Sequence, residues 1–320
     1  MLSPSHMERI ITALRMQYTI DPLCEWTMEC NPGTTTRASL SAYHSLGINR
    51  ISFGVQSFHH EELRFLERIH SADQVESSYD DARAAGFDTI NIDVMFALPG
   101  QTRERYAQTL DRVIALHPEH ISAYSLIYEE GTPLHAQLLK GHVQPLGDDE
   151  DADLYDYTIK TLSACGFEQY EVSNFARPGF QCRHNLCYWT HQEYLSFGPS
   201  AHGYLNYTRY NNVRNLRRYL QCIELNELPT IREERLNTTQ RLFEYAFLGL
   251  RSIGVRPDIL QRDYNIDIIS VLRNVHPWMI DEAYVCTGDY VQLTTKGFPV
   301  CDEISLKVIQ ALELHTGQEW

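Results

Sequence analysis

Positive charge and long apolar runs are both scarce in this chain of 320 residues. Lys and Arg number 27 against 42 Asp and Glu, a formal net charge of −15, and such an acidic surface repels phosphate backbones. No apolar run approaches the ~20 residues that a membrane-spanning helix needs, and the amino terminus lacks a secretory pattern. We therefore expect a cytoplasmic protein with no nucleic-acid partner and no integral membrane segment.

Paired cysteines are also missing. Eight cysteines are spread over the whole chain, and none forms a C-x-x-C pair. A disulfide-stapled protein would be smaller and denser in cysteine, so most of the eight are interpreted as buried thiols.

What is present is an alternation of strand and helix patterns over the first two thirds of the chain. Strands are predicted over 26–31, 49–56, 89–97, 120–127 and 168–172. Helices are predicted between them, over 35–46, 60–69, 72–85, 102–116, 133–139 and 149–165. This alternation is typical of right-handed βαβ units and predicts an α/β protein with a parallel sheet or barrel.

The pattern changes at about residue 236. Helices over 238–251, 257–263, 267–273 and 277–283 are followed by a hairpin over 285–294 and a last helix from 302. This arrangement predicts a small α+β domain that resembles a winged helix, with boundaries at 1–235 and 236–320. Acidic residues outnumber basic ones in the second part, which favours a structural or docking role over DNA binding.

One face of the first three predicted strands is hydrophilic or small, although the other face is apolar. The hydrophilic face carries Thr27, Glu29, Asn31, Ser52, Gly54, Gln56, Asn91 and Asp93. In a barrel these side chains point inward, where buried carboxylates and amides require hydrogen-bond partners. Those partners are either a bound ligand or the other side chains of the set. The alternative is an antiparallel sheet with one wet face, which alternates in the same way.

The inward set suits a small polar ligand that carries hydroxyls and an ammonium group. Glu29 and Asp93 offer acceptors, and Gln56 offers both a donor and an acceptor. Arg68 follows in a helical stretch and could bind a ligand carboxylate, although a single Arg is more often only solvated.

Several long segments, in order, resemble the radical S-adenosylmethionine proteins related to oxygen-independent coproporphyrinogen III oxidase. They are ECNPGT (29–34), NRISFGVQSF (49–58), LERIH (66–70), INIDVMFALPGQT (90–102), ISAYSLIYEEGTPL (121–134) and EVSNFARPGFQCRHNLCYW (171–189). The resemblance implies a partial (β/α) barrel that holds S-adenosylmethionine. The HNxxYW element, with His184, Asn185, Tyr188 and Trp189, is similar to the HemW branch of heme chaperones rather than to the oxidase.

The resemblance also implies which residues contact S-adenosylmethionine. Glu29, Gln56, Arg68 and Asp93 fall at the positions that contact it in that group. Tyr124 and Ile127 fall on a strand that lines the same cavity. Because these last two lie on opposite faces of a strand, at most one of them is expected to face the ligand.

The chain departs from the family in one respect. The family binds a [4Fe–4S] cluster through C-x3-C-x2-C, and this spacing is absent, as is the Gly-rich stretch expected after it. We expect a chain that begins after the first strand and the cluster loop, with no metal ligands of its own and with a cluster only in a longer form. Without a cluster, radical chemistry by this polypeptide is not expected.

Three interpretations of CRHNLCYW (182–189) stay open. Cys182, His184 and Cys187 could form a zinc clip with His191 or His202, although only half of a zinc ligand pattern is present. The stretch could also be a packed loop. As a heme site, it would offer the His184 imidazole, with Asn185 orienting it, and the flat faces of Tyr188 and Trp189.

The function predicted from these patterns is a heme-binding chaperone. It would deliver heme to an apo-hemoprotein such as a respiratory enzyme, with S-adenosylmethionine bound in the full-length form. The alternative is a coproporphyrinogen III oxidase that decarboxylates propionates through a radical. A third hypothesis is a nonfunctional fragment with an exposed sheet edge.

Overall fold

The computed structural model describes residues 2–275 and 283–317. The chain divides into two compact units, Met1–Gln181 and Cys182–Trp320. No helix within the described residues is both long and apolar enough to cross a membrane.

The first unit is a six-stranded sheet with helices between its strands. Its strands are β1 (Thr27–Cys30), β2 (Arg50–Gln56), β3 (Thr89–Phe96), β4 (His120–Ser125), β5 (Glu168–Gln169) and β6 (Asn174–Ala176). Its helices are α1 (Pro4–Gln17), α2 (Arg37–Ser45), α3 (His60–Phe65), α4 (Ala72–Ala84), α5 (Arg103–Ala115), α6 (Pro133–Leu139) and α7 (Asp148–Ala164). The strand order is β1-β2-β3-β4-β6-β5, and the first four strands are parallel.

Local sequence signals start the helices of this unit. Thr36 and Ser71 form capping boxes at α2 and α4, and the Thr102 hydroxyl accepts from the Arg105 amide at the start of α5. Each cap satisfies an amide that would otherwise lack a partner, which stabilises a helix by about 1 kcal/mol.

The apolar strand face forms the core, as the sequence predicts. Ile51, Val55, Ile90 and Val94 are all 0% exposed, packed in one cluster with apolar side chains of the surrounding helices. Because the strands are parallel and separated by helices, the alternative of an antiparallel sheet with one wet face is wrong for β1 to β4.

The predicted strand over 168–172 needs a correction. Only Glu168–Gln169 of this segment is a strand, β5, and it pairs antiparallel with β6 further along the chain. Strand β6 also pairs antiparallel with β4. A turn closes between β5 and β6, with the Tyr170 amide donating to the Asn174 carbonyl at 3.2 Å. The run of strand-forming residues therefore ends in a hairpin rather than in another parallel strand.

The second unit contains a three-stranded antiparallel sheet and a helical part. It comprises α8 (Arg183–Trp189), β7 (His202–Leu205), β8 (Thr208–Asn212), α9 (Leu216–Glu224), β9 (Thr230–Arg235), α10 (Thr238–Leu250), α11 (Pro257–Tyr264), α12 (Ile268–Val275), β10 (Tyr284–Thr287), β11 (Tyr290–Leu293), a 3₁₀ helix (Phe298–Val300) and α13 (Cys301–Thr316). The predicted helices, hairpin and last helix are present from 238 onward. The predicted helix over 277–283 lies, apart from Ala283, outside the described residues.

The boundary between the units differs from the predicted boundary at 235/236. The β7–β8–β9 sheet belongs to the second unit, because Glu244 of α10 forms an ion pair with Arg209 of β8 and also contacts His191 at 3.1 Å. The Leu236 amide also donates to the Tyr207 carbonyl at 2.8 Å. The HNxxYW element is thus part of the second unit and not of the strand-helix unit.

Candidate functional site

Strand register in the first unit brings the hydrophilic side chains into rows on one face of the sheet. One row runs across Glu29, Ser52, Asn91 and His120. The next row contains Gly54, Asp93 and Ser122, and Tyr124 lies opposite Met95 one row further. In-register neighbours on parallel strands share a face, so the structure brings together the residues selected by alternation.

The space above Gly54 is where several polar side chains converge. A Cβ atom at Gly54 would lie 3.2 Å from Gln56 Nε2, 3.3 Å from Asn31 Oδ1 and 3.9 Å from Arg68 Nη1. Arg68 Nη1 donates to Asn31 Oδ1 at 2.8 Å. Because Gly54 has no side chain, the Gln56 and Asn31 amides approach its backbone more closely than a Cβ atom would comfortably allow, with the Arg68 guanidinium beside them.

Gln56 reaches this position because the strand bulges. The pairing of β2 with β3 shifts between Gly54 and Gln56, and Gln56 has a φ of 66°. This left-handed conformation costs about 1 kcal/mol or more for a residue other than glycine, and such strain concentrates at ligand sites. Gln56 is 5% exposed, and its Oε1 is buried with no hydrogen-bond partner among the described residues.

Asp93 lies beside this position and is held by neighbouring donors. Asn91 Nδ2 donates to it at 2.6 Å and Ser52 Oγ at 3.3 Å, and the Tyr124 hydroxyl also donates to it. Burial raises the pKa of Asp93, while these hydrogen bonds act in the opposite direction. Burial and the Asp93 charge raise the pKa of Tyr124, which therefore stays a neutral donor.

Behind Asp93 lies a buried polar chain that sequence reasoning did not identify. Asn91 Oδ1 is 2.6 Å from His120 Nδ1 and accepts from Ser122 Oγ at 3.2 Å. His120 Nε2 lies 2.8 Å from the Tyr170 hydroxyl. Burial, and then the nearby Arg50 charge, lower the pKa of His120 well below its usual range, so the imidazole is neutral. The chain fixes the Asn91 amide that donates to Asp93.

The two other predicted contact residues are both exposed. Glu29 lies on the edge strand β1, in register with Ser52, and its charge adds to the rise in the pKa of Tyr124. Ile127 follows the end of β4 and is 74% exposed, whereas Tyr124 lies on the hydrophilic face. Of the pair Tyr124 and Ile127, the structure therefore places only Tyr124 beside Asp93.

The residues of the hydrophilic face fit an S-adenosylmethionine-type ligand. The unpartnered Gln56 Oε1 offers an acceptor, Arg68 offers donors for a carboxylate, and Asp93 offers acceptors for hydroxyls or an ammonium group. A [4Fe–4S] cluster does not fit the residues present. The 320 residues contain no C-x3-C-x2-C run, and in the described part no three His, Cys, Asp or Glu side chains come together to hold a metal.

The CRHNLCYW element is a short helix, α8, with the buried Cys182 as its N-cap residue. The stretch is therefore a helix and not the loop that one interpretation assumed, and Trp189 in it is half-buried, as a packing residue would be. The zinc clip finds no support, because no metal-binding group of His, Cys, Asp or Glu occurs within the described residues.

One turn of α8 places His184 and Tyr188 side by side. The Tyr188 hydroxyl lies 2.9 Å from His184 Nε2, and the two rings meet edge to face with centroids 4.8 Å apart. Both residues are exposed, whereas Asn185 and Trp189 are half-buried. Burial, followed by the nearby Cys187 and Cys182, raises the pKa of Tyr188, so its side chain is a phenol at neutral pH.

An aromatic and ionic cluster continues from Tyr188. The Tyr194 ring lies 4.5 Å from the Tyr188 ring, and Tyr194 pairs with Tyr204 through an isolated β-bridge. His191 stacks on Tyr204 with centroids 4.6 Å apart and contacts Glu244 at 3.1 Å. From sequence, His191 and His202 were candidates for zinc ligation, and their aromatic neighbours could not be identified because the β7–β8 hairpin was not predicted.

Comparisons with known proteins agree with this architecture. The model of the radical SAM superfamily matches residues 2–113. The heme chaperone HemW of Lactococcus lactis is 37% identical over 310 residues, which cover 96% of this chain and 81% of that protein. The heme chaperone HemW of Escherichia coli K12 is 32% identical over 305 residues, which cover 93% of this chain and 78% of that one.

A solved structure shares the fold. Coproporphyrinogen III oxidase (HemN) from Escherichia coli, a radical SAM enzyme, superposes with a TM-score of 0.80 at 21% identity, over 96% of this chain and 74% of that one. The likeness shows that the chain has the α/β fold of the radical SAM proteins. Together with the 37% identity to a HemW protein along most of both chains, it shows that the chain belongs to the HemW family of radical SAM proteins.

Proposed function

We propose that this protein is a cytoplasmic heme chaperone that binds heme at α8 and transfers it to an apo-hemoprotein such as a respiratory enzyme. The observation that carries the proposal is the exposed pair of His184 and Tyr188 on one turn of α8. An accessible imidazole can ligate iron, and neighbouring tyrosine rings offer flat apolar faces to a porphyrin.

His184 is the proposed iron ligand. A neutral imidazole ligates iron without losing a proton, whereas tyrosine ligates it as a phenolate and must first lose one. Iron would displace the Tyr188 hydroxyl from Nε2, and Tyr188 and Trp189 would then contact the macrocycle. Asn185 is proposed to orient the imidazole. An exposed site also suits a chaperone, because a ligand that must be passed on cannot be enclosed.

The hydrophilic face of the first unit is proposed to bind S-adenosylmethionine. Arg68 would hold the carboxylate of the methionine part, while Gln56, Asp93 and Tyr124 would contact its remaining polar groups. Glu29 and Ile127 are proposed as outer contacts. In radical SAM proteins, S-adenosylmethionine bound together with a [4Fe–4S] cluster supplies radical chemistry. Heme binding at α8 requires neither of them.

Hemin titration followed at the Soret band tests the heme site. His184→Ala should lower hemin affinity at least tenfold and change the band position, because iron loses its proposed ligand. His142→Ala is the matched control, since His142 is also exposed but lies in the first unit. If His184→Ala binds hemin with the wild-type spectrum and affinity, the assignment is wrong.

A further inference from the structure

The β7–β8–β9 sheet carries an open cleft next to the aromatic cluster of α8. The cavity measures about 320 Å³ and is lined mainly by Tyr194, His202, Arg209, Asn211, Arg232 and Glu234. Small-molecule sites have volumes of roughly 300 Å³ or more, so this cavity can hold a polar substituent of a large ligand but not the whole ligand.

The register of the sheet places hydrogen-bond donors in a row across the cleft. His202 pairs with Asn211, and Asn211 pairs with Arg232. Residues directly opposite one another on neighbouring strands share a face and lie ~5 Å apart. An imidazole, an amide and a guanidinium therefore point into the same open space.

The adjacent row is different because its charges are already matched. Arg209 donates to Glu234 at 2.9 Å and also forms an ion pair with Glu244. Arg232 approaches the same Glu234 at only 3.8 Å, and its side chain is 75% exposed. The Glu234 carboxylate is thus shared between two guanidinium groups. Arg232 makes the weaker of the two contacts with Glu234, so it is the guanidinium that remains able to bind an added carboxylate through charge-assisted hydrogen bonds.

The cleft is continuous with the proposed heme site. Tyr194 lines the cleft, its ring lies 4.5 Å from the Tyr188 ring, and the Tyr188 hydroxyl lies 2.9 Å from His184 Nε2. A planar ligand that touched both tyrosines could have its metal at His184 and its edge at the cleft. The outer edge of heme carries two propionate carboxylates.

We infer that the cleft is a carboxylate-binding site in which His202, Asn211 and Arg232 hold the propionates of heme. The inference rests on the proposed heme-binding function and extends it to a second part of the ligand. It predicts that the protein distinguishes porphyrins by their carboxylates as well as by their metal.

Two ligands and three proteins test the inference. Wild-type protein, the double variant His202→Ala with Arg232→Ala, and the control Arg235→Ala are titrated with hemin and with hemin dimethyl ester, which lacks free carboxylates. Arg235 is an exposed arginine on the same strand, and strand alternation directs it to the other face of the sheet. The double variant should bind hemin about tenfold more weakly, with an unchanged Soret position, and should bind the ester like wild type.

Each outcome has a separate meaning. Equal hemin affinity of the double variant and wild type would overturn the carboxylate site. The proposed heme function would still stand in that case if His184→Ala changed the Soret spectrum. Equal weakening of hemin and ester binding would also overturn the carboxylate site, since only a carboxylate contact discriminates the two. A hemin affinity close to that of wild type in the conservative variant Arg232→Lys would support the carboxylate site. Failure of wild-type protein to bind hemin would overturn the proposed function itself.

Discussion

The two regions that carry candidate chemistry are built in opposite ways. In the first unit, Asn91, His120 and Tyr170 are 3%, 0% and 6% exposed and are joined by hydrogen bonds behind Asp93. In the second unit, His184 and Tyr188 stand exposed on a helix of seven residues. The first arrangement holds polar groups in fixed positions before a ligand arrives. The second leaves them open to a large ligand that must also leave.

This contrast has a thermodynamic consequence. Removing a group from a buried network leaves its partners without hydrogen bonds in a medium of low dielectric constant, which costs stability. Removing an exposed side chain costs little, because water replaces its contacts. Substitutions within the network of Asn91, His120 and Tyr170 should therefore change stability and binding together, and those on α8 should change binding alone.

The largest effect is expected for Asn91→Ala. The amide donates to Ser52 and Asp93 and accepts from Ser122, and it also contacts His120. We expect a loss of about 3–4 kcal/mol in the free energy of unfolding, because several buried partners become unsatisfied at once. Urea unfolding measures it. Asn211→Ala, whose half-buried amide lines the open cleft of the second unit, is the control and should change stability by less than about 0.5 kcal/mol. Similar losses in the two variants would contradict the contrast.

A buried carboxyl group next to this network predicts a pH effect of slightly smaller size. Glu171 is 1% exposed, and burial raises its pKa from 4.5 to about 7, against hydrogen bonds from Ser173 and Asn174. The folded state therefore keeps its proton where the unfolded state has lost it. This contribution to stability is present below pH 4.5 and is lost as pH rises to about 7, by about 3 kcal/mol in total.

Glu171→Gln isolates this contribution. The variant should gain stability relative to wild type as pH rises from 5 to 8, because glutamine does not ionise. His120, whose lowered pKa has the opposite consequence below pH 6.5, is present in both proteins and cancels in the difference. Thermal melts at several pH values measure the gain, with Glu168→Gln on the exposed strand β5 as control. A stability difference that stays constant with pH would contradict the assignment.

The contrast also explains which features could be predicted from sequence. Period-2 alternation over β1 to β3 identified Gln56 and Asp93 as inward-facing, because a buried face demands it. The bulge that turns Gln56 toward Gly54 left no signal, since its positive φ occurs at a residue that usually avoids it. The network of Asn91, His120 and Tyr170 depends on which strands are neighbours. Alternation within one strand does not contain that information.

In the second unit, the local sequence pattern predicted fewer of the secondary-structure elements. The α8 segment is short, rich in aromatic side chains and without a polar N-cap residue, so its helix could not be recognised. The β7–β8 hairpin turns at Asn206 and Tyr207, both with positive φ. Asn is a usual residue for this conformation and Tyr is not. The longer helices from α10 onward were predictable because capping by Asn237 and regular apolar spacing act within each segment.

A smaller effect, on binding alone, is expected for Gly54→Ala. The added Cβ would lie 3.2 Å from Gln56 Nε2 and 3.3 Å from Asn31 Oδ1, at the proposed S-adenosylmethionine site. Affinity for S-adenosylhomocysteine, measured by calorimetry, should fall about tenfold. Thermal stability should hold or rise slightly, because glycine weakens a strand interior. Thr27→Ala, on the same face near the start of β1, is the control. Unchanged affinity in Gly54→Ala would place the ligand elsewhere.

The smallest effect is expected for Tyr188→Phe, and its sign is informative. The Tyr188 hydroxyl contacts His184 Nε2 at 2.9 Å, so iron must displace it before the imidazole can ligate. The hydrogen bond contributes about 0.5–1.5 kcal/mol, and its removal should raise hemin affinity about two- to tenfold while the ring face is kept. Tyr188→Ala should instead lower affinity, because the ring is lost. If Tyr188→Phe weakens hemin binding and shifts the Soret band, the phenol oxygen is itself a ligand. Tyr188, and not the exposed imidazole of His184, would then be the iron ligand that α8 offers.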